Sequence, residues 1–470
     1  MFSNRISRRV AIAGVALAML GPVACGGSTK GAASPGGTTA PSACGIEALA
    51  TARQPVNITF WHTMVRSTND WLVSTIKTFN RTQHEVHVTL RQLPTYPDLF
   101  TKYKAGLSSG DLPDLAQFED TTVQQLVDSK STVPVQSCID ATKYDVSDYL
   151  PRPMHFYSVG GVQQSMPWAV SNIILMYNPA LFAKAGLDPN KPPQTLEEVR
   201  QDSQQIVSSG AAPHGISLHA VSYLFEFLLA KSGGEFVNNG NGRVKRATAA
   251  NLTGPTALKL WNWWDSMVRS GLALGTGSDL SNIDHLLALG TGTAAMTFEA
   301  SGTIGPIEAV LQSGQYKGLK LATAPLPALT TGGGIPVGDG SLWISAKSSP
   351  EKRAAAWKLI QYLDSPSQQA ALAEAGGYVP IRVSATKLPS LVKAWAKDPN
   401  YRTGYDQLTS GSIANANIGS LIGDYQGTRD AVRDGFVQML SNKLSPQAAA
   451  SLAEREANAK ITDYNQRIGG

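Results

Sequence analysis

Cysteine is scarce in this 470-residue sequence, with three in all, and neither a C-x-x-C pair nor a Cys/His cluster occurs. That excludes the common zinc arrangements. His84 and His87, two of seven histidines, lie on an expected strand at a spacing that sets them on opposite faces, which argues against a metal there. No G-x-S-x-G, H-E-x-x-H or G-x-x-x-x-G-K-[ST] motif is present, and no cofactor is expected. Basic residues are not gathered into a stripe. Arg5, Arg8 and Arg9 account for most of the excess, and without them the formal charge falls from +5 to +2, leaving the short RVKR run at 243–246. Nucleic-acid binding is therefore not expected. Beyond residue 20 no apolar run approaches the roughly 20 residues that cross a bilayer.

What the N-terminus does have is a basic start, an apolar stretch from Val10 to Leu20, and then Cys25. The stretch is too short for a spanning helix and fits a signal peptide over 1–24. Cleavage before Cys25 would free its thiol for lipidation, with 25–55 as a flexible tether rich in Gly, Ser, Thr and Pro. Pro22 departs from the usual leucine, and secretion with a chance cysteine is the alternative. The expected location is outside the cytoplasm, on the outer face of the cell membrane, held by the lipid alone. Cys44 and Cys138 then remain, an even number in an oxidising compartment, and are expected to pair. Two unpaired thiols are the alternative.

From Val56 the pattern alternates. NITFWHT reads as a strand, 68–82 as a helix, HEVHVTLRQL as a strand, 97–109 as a helix and DLAQFE as a strand, which implies βαβ units. Further helices are expected at 180–186, 195–209, 221–231 and 254–270, then in a late helical region at 350–375 and 427–465. Trp261 and Trp264 share a helix face and read as core. Asn239–Gly242 (NGNG) reads as a hairpin tip. Three extended small-residue segments, 164–178, 294–305 and 338–346, could each carry the chain between lobes. The fold class is α/β in two lobes with a cleft between them, where ligands commonly sit.

FWHTM (60–64), YNPALFAKAGLDPNKPPQTLEEV (177–199), GDGSLWI (338–344) and GGYVPI (376–381) resemble the extracytoplasmic solute-binding proteins of ABC importers, family 1, and within it the glycerol-3-phosphate-binding members. The likeness spans about 56–465. It implies a hinged two-lobe clamp, a monomer, that hands a small ligand to the transmembrane subunits of a permease. Lobe 1 is expected at 56–168 plus 300–342, and lobe 2 at 172–297 plus 346–470. The resemblance places ligand residues at Tyr96, Glu119, Ser171, Ser301, Gly302 and Tyr378. A tryptophan expected between 215 and 225 is missing, with His219 or Tyr223 nearest. Leu421 stands where these proteins carry a phosphate-binding arginine, and Asp339, beside Gly340, replaces a glycine. Both changes oppose a phosphate and favour hydroxyls.

An uncharged sugar needs aromatic faces and acceptors. Trp61, Trp168, Trp343 and Tyr378 could supply the former, Glu119 and Asp339 the latter. The expected function is capture of an uncharged sugar or oligosaccharide. A glycerophosphodiester, reached by Arg429, or glycerol-3-phosphate is one alternative. A glycoside-active enzyme using Glu119 and Asp339 as its two carboxylates is another.

Overall fold

The alternation that opens at Val56 builds a sheet with a parallel edge. In the computed structural model, which describes residues 43–279, 283–314, 316 and 319–469, helix α1 (Ile46–Ala50) precedes β1 (Val56–His62), α2 (Arg66–Thr82), β2 (Val86–Gln92), α3 (Tyr96–Ser109) and β3 (Leu115–Glu119). The expected signal peptide and Cys25 lie outside the described residues. β1 runs between β2 and β3, parallel to both. Helix α3 starts where the Thr95 hydroxyl accepts the Asp98 amide at 3.2 Å and stops at Gly110, whose φ of +84° suits a residue without a Cβ.

β4 (Met166–Ser171) and β5 (Ile173–Tyr177) are buried at every position, as strands covered on both faces are. The chain continues through α4 (Leu196–Ser208), β6 (His214–Leu218), α5 (Ser222–Lys231), α6 (Pro255–Arg269), β7 (Ala273–Gly275), β8 (Ala294–Ala300), α7 (Ile304–Gln312), β9 (Ala322–Pro325) and β10 (Gly338–Ser345). The TLEE motif proves to be a capping box. The Thr195 hydroxyl accepts the Glu198 amide at 3.1 Å while the Glu198 carboxylate accepts the Thr195 amide at 3.0 Å. Helices α8 (Pro350–Leu363), α9 (Pro366–Gly376), α10 (Tyr425–Leu440) and α11 (Pro446–Arg467) complete the main elements.

The first sheet has the order β2-β1-β3-β10, with β4 and the two-residue strand Thr132–Val133 also on β10. The second has the order β7-β6-β8-β5-β9. β4 and β5 belong to different sheets with only Asn172 between them, so the chain crosses there. A second crossing follows β8, and the Ser301 amide donates to the Asn172 carbonyl at 2.9 Å, tying the two together. The core of the second lobe includes the expected tryptophan face, with the Trp261 ring 4.3 Å from that of Phe436 on α10.

Several segments depart from the sequence assignment. β9 pairs with β5 in the second sheet, so the first lobe does not take all of 300–342. Helices α8 and α9 pack on the first lobe, against β1 and α2, because the four residues after β10 are too few to carry α8 to the other sheet. Segment 338–346 is not a crossing. β10 lies wholly in the first sheet, and the chain crosses earlier, between Pro325 and Gly338. NGNG is a tight turn with left-handed Asn239 and Gly240, but only one bridge, Val237 to Ala250, flanks it, so it tips no hairpin.

The expected tether is folded from residue 43 onward. Cys44 is bonded to Cys138, both fully buried, and Gly45 lies so close to Pro350 that a Cβ would sit 2.2 Å from its carbonyl oxygen. The bridge closes a loop across 94 positions, so Cys44→Ser should lower stability by about 4.7 kcal/mol in the chain-entropy account. Guanidinium unfolding checks this. Cys138→Ser and the double variant should fall by the same amount, since each breaks the same bond.

Candidate ligand-binding cleft

Three strand ends of the first sheet meet at one place. Gly340 on β10 lies opposite Glu119 at the end of β3, and Gly338 lies opposite Ser171 at the end of β4. Asp339 sits between them at a φ of +68°, a region that a residue with a Cβ enters at a cost of order 1–3 kcal/mol. The Ser171 hydroxyl donates to the Asp339 carboxylate. Burial nonetheless raises its pKa to about 7, and the neighbouring charges of Glu119 and Glu299 push the same way.

Tyrosines surround this carboxyl. Burial, then Asp339, raises the Tyr378 hydroxyl pKa, and burial with the same carboxyl raises that of Tyr96. Tyr223, from α5 in the second lobe, is raised by burial and by Glu299. The Tyr157 hydroxyl donates to the Asp339 carbonyl at 3.1 Å. Two glycines make room. A Cβ at Gly302 would sit 2.9 Å from the Tyr378 ring, and one at Gly340 would sit 2.9 Å from the Tyr96 hydroxyl and 2.8 Å from Gln117 Nε2. Gln117 in turn donates to the Tyr96 oxygen at 2.7 Å.

Behind Glu119 stands Arg429, on α10. Its Nε donates to Glu226 Oε1 at 3.0 Å and its Nη2 to Glu226 Oε2 at 3.0 Å. Its Nη1 reaches Glu119 at 3.3 Å, and Nη2 lies 3.5 Å from Asp120. Burial opposes the charge, but Glu226, Asp120 and Glu119 outweigh it and hold the guanidinium firmly protonated. Glu226 also accepts Ser222 Oγ at 2.8 Å and the Tyr425 hydroxyl at 3.1 Å. Because α10 packs with α5 and α11 in the second lobe, this cluster spans the two lobes. Asp128 makes a second tie. It pairs with Arg246 at 2.8 Å and accepts the Tyr464 hydroxyl at 2.9 Å, both from the second lobe.

Of the residues expected at the site, the structure gathers Tyr96, Glu119, Ser171, Asp339, Gly340, Gly302 and Tyr378. Others fall elsewhere. Trp168 is fully buried, its ring 5.7 Å from Phe60 and 6.3 Å from Trp71. Trp61 and Trp343 both stand opposite Ala116 in one row across the sheet. Arg91 and Lys102 cover the Trp61 ring at 5.0 and 5.2 Å, and Trp343 donates to Ser341 Oγ at 2.7 Å inside the fold. These tryptophans are core and offer no face to a ligand. Ser301 is buried against Gly404 beside the crossing. His219 is also buried, stacked 4.7 Å from His285, so Tyr223 takes the cleft position. Leu421 is an apolar core residue whose amide donates to the Asn241 carbonyl at 2.9 Å.

Sequence reasoning missed Gln117, Tyr157, Glu226 and the pair of His285 with Glu299, joined at 2.7 Å. Glu226 had a signal, since it is a lone charge inside the apolar run YLFEFLLA, where a buried carboxylate requires a partner. Among the described residues no group of three or more His, Cys, Asp or Glu could hold a metal ion.

The Asp339 carboxyl keeps its proton to about pH 7 in the fold and releases it near pH 4 when unfolded. Between these values the folded state binds more protons, so this group makes stability fall as pH rises through the window. Urea unfolding from pH 4 to 8 should show that Asp339→Asn loses less stability over this range than the parent. Equal slopes would contradict the assignment.

The model of the bacterial extracellular solute-binding protein family matches residues 74–403. The sn-glycerol-3-phosphate-binding periplasmic protein UgpB of Brucella abortus is 26% identical over 412 residues, covering 86% of this chain and 93% of the relative. Among solved structures, UgpB from Mycobacterium tuberculosis in complex with glycerophosphocholine superposes with a TM-score of 0.71 at 22% identity, covering 89% of this chain and all of the other. The GacH receptor of Streptomyces glaucescens, solved unliganded and with acarbose, gives 0.72 at 20% identity over 87% and 99% of the two chains. These structures share the two-lobe fold. With well over half of its length matched, the chain belongs to the bacterial extracellular solute-binding protein family.

Proposed function

We propose that this ABC-importer solute-binding protein captures an uncharged sugar or oligosaccharide between its lobes and delivers it to a membrane permease. The observation that carries this is the state of Arg429. Its guanidinium is matched by Glu226, Glu119 and Asp120, which leaves little positive potential for a phosphate. Asp339 adds to the opposition where it is ionised, above about pH 7, since a carboxylate about 5 Å from a phosphate charge costs on the order of 3 kcal/mol at an effective dielectric of about 20. Hydroxyl groups suit the same surroundings. Asp339 and Glu119 can accept from them, and the Tyr96, Tyr223 and Tyr378 rings can line the apolar face of a sugar.

A binding role fits these carboxylates better than catalysis. Glu119 is held by Arg429 and by Thr121 Oγ1 at 2.9 Å, and Asp339 by Ser171, so neither is free in the way a glycosidase acid and base must be. A glycerophosphodiester is the second reading, favoured by the glycerophosphocholine bound to the M. tuberculosis neighbour.

Titration calorimetry on the purified chain separates the two. We expect no binding of glycerol-3-phosphate or glycerophosphocholine and micromolar or tighter binding of at least one neutral saccharide. Tyr378→Ala should weaken that binding tenfold or more, about 1.4 kcal/mol, and Glu119→Gln should weaken it as well. Tight binding of either phosphate ester by the parent would overturn the proposal.

Anchoring by a lipidated Cys25 is part of the same proposal. Its support is the basic and apolar leader before that residue, and among the described residues no helix is long and apolar enough to cross a membrane. Cys25→Ala should move the protein from the membrane fraction to the medium with its unfolding midpoint unchanged. Retention at the membrane would refute the lipid anchor.

A further inference from the structure

The cleft does not end at Tyr96 and Glu119. These two residues also line the inner end of a groove of about 330 Å³, within the range of small-ligand sites. One wall comes from the first lobe, with Pro97 and Phe100 on α3 and Gln125 beyond β3. The other comes from the second lobe, with Gln426 and Asp430 on α10. Past Phe100 and Gln125 it runs into a further hollow of about 460 Å³ that reaches Tyr464.

This groove stays open while the lobes are in contact. Arg429 joins them at its inner end through Glu119, and Asp128 joins them farther along through Arg246 and Tyr464. A ligand held in the inner cleft could therefore extend outward without forcing the lobes apart. Its lining is mixed in the way a sugar chain requires. Phe100, half-buried edge-on against Phe118 at 5.8 Å, and Pro97 present apolar faces to ring C–H groups, while Gln125, Gln426 and Asp430, with Lys104 and Lys460, supply donors and acceptors for hydroxyls. Gln426 and Asp430 are already aligned by their own hydrogen bond at 3.2 Å.

We propose that this groove is an outer subsite, and that the ligand is an oligosaccharide whose further units lie between α3 and the start of α10. This rests on the saccharide reading above and adds the ligand's length to it. The test is titration calorimetry of the full mature chain with gluco-, manno- and xylo-oligosaccharides of one to five units. In the series that binds, affinity should rise at least tenfold from one unit to three. Phe100→Ala, and separately the exposed-side pair Gln125→Ala with Gln426→Ala, should flatten that rise while changing monosaccharide affinity less than twofold. Tyr378→Ala should weaken every length by a similar factor. The pair of glutamine changes guards against a loss of folding at Phe100. A parent affinity independent of length, or a glutamine pair that leaves the rise intact, overturns the outer subsite and leaves the saccharide function standing. Failure of every saccharide to bind overturns both.

Discussion

Glu226 sits inside the apolar body of α5, flanked by the buried Leu224, Phe225, Phe227 and Leu228. Withdrawing a carboxylate from water costs several kcal/mol unless a partner and hydrogen bonds compensate it. Arg429, Ser222 and Tyr425 provide that compensation, and the guanidinium lies 5.0 Å over the Tyr425 ring. Once placed there, Arg429 has donors left over, and these reach across to Glu119 and Asp120. A folding requirement of the second lobe thus sets the electrostatics of the space between the lobes. The first lobe meets this cation with Glu119 and with Asp120, whose carboxyl is pushed well above the usual range by burial, so no unmatched positive charge is left around Arg429.

The fold was legible in the sequence where periodicity and composition agreed. β1, α2, β2, α3 and β3 follow from alternating and helical patterns in consecutive segments, and local chemistry such as the Thr195 cap reinforces them. Assignments failed where they depended on long-range packing. Nothing local tells that β9 returns to the second sheet or that α8 covers the first. Trp61 and Trp343 had the composition of a sugar platform, but pleating turns both away from the cleft in one row with Ala116. Arg429 and Glu226, 203 positions apart, could be joined only in three dimensions.

Asp339 and Leu421 occupy very different surroundings. Asp339 lies between the strand ends that carry Glu119 and Ser171, on a left-handed backbone, bonded to Ser171 and with tyrosines around it. Leu421 is packed in the core. The guanidinium of the cleft comes instead from Arg429, eight positions later and already paired. On our proposal a phosphate is opposed by an added carboxyl and by a cation already paired, not by the loss of an arginine.

The bond between Cys44 and Cys138, with Gly45 seated on Pro350, fixes where the N-terminal chain leaves the folded body. Whatever precedes residue 43 is attached through the first lobe, and a covalent link carries any pull into that lobe before β1 is reached. Mechanical load from that end would bypass the crossings at Asn172 and Ser301. The second lobe has no part in that attachment.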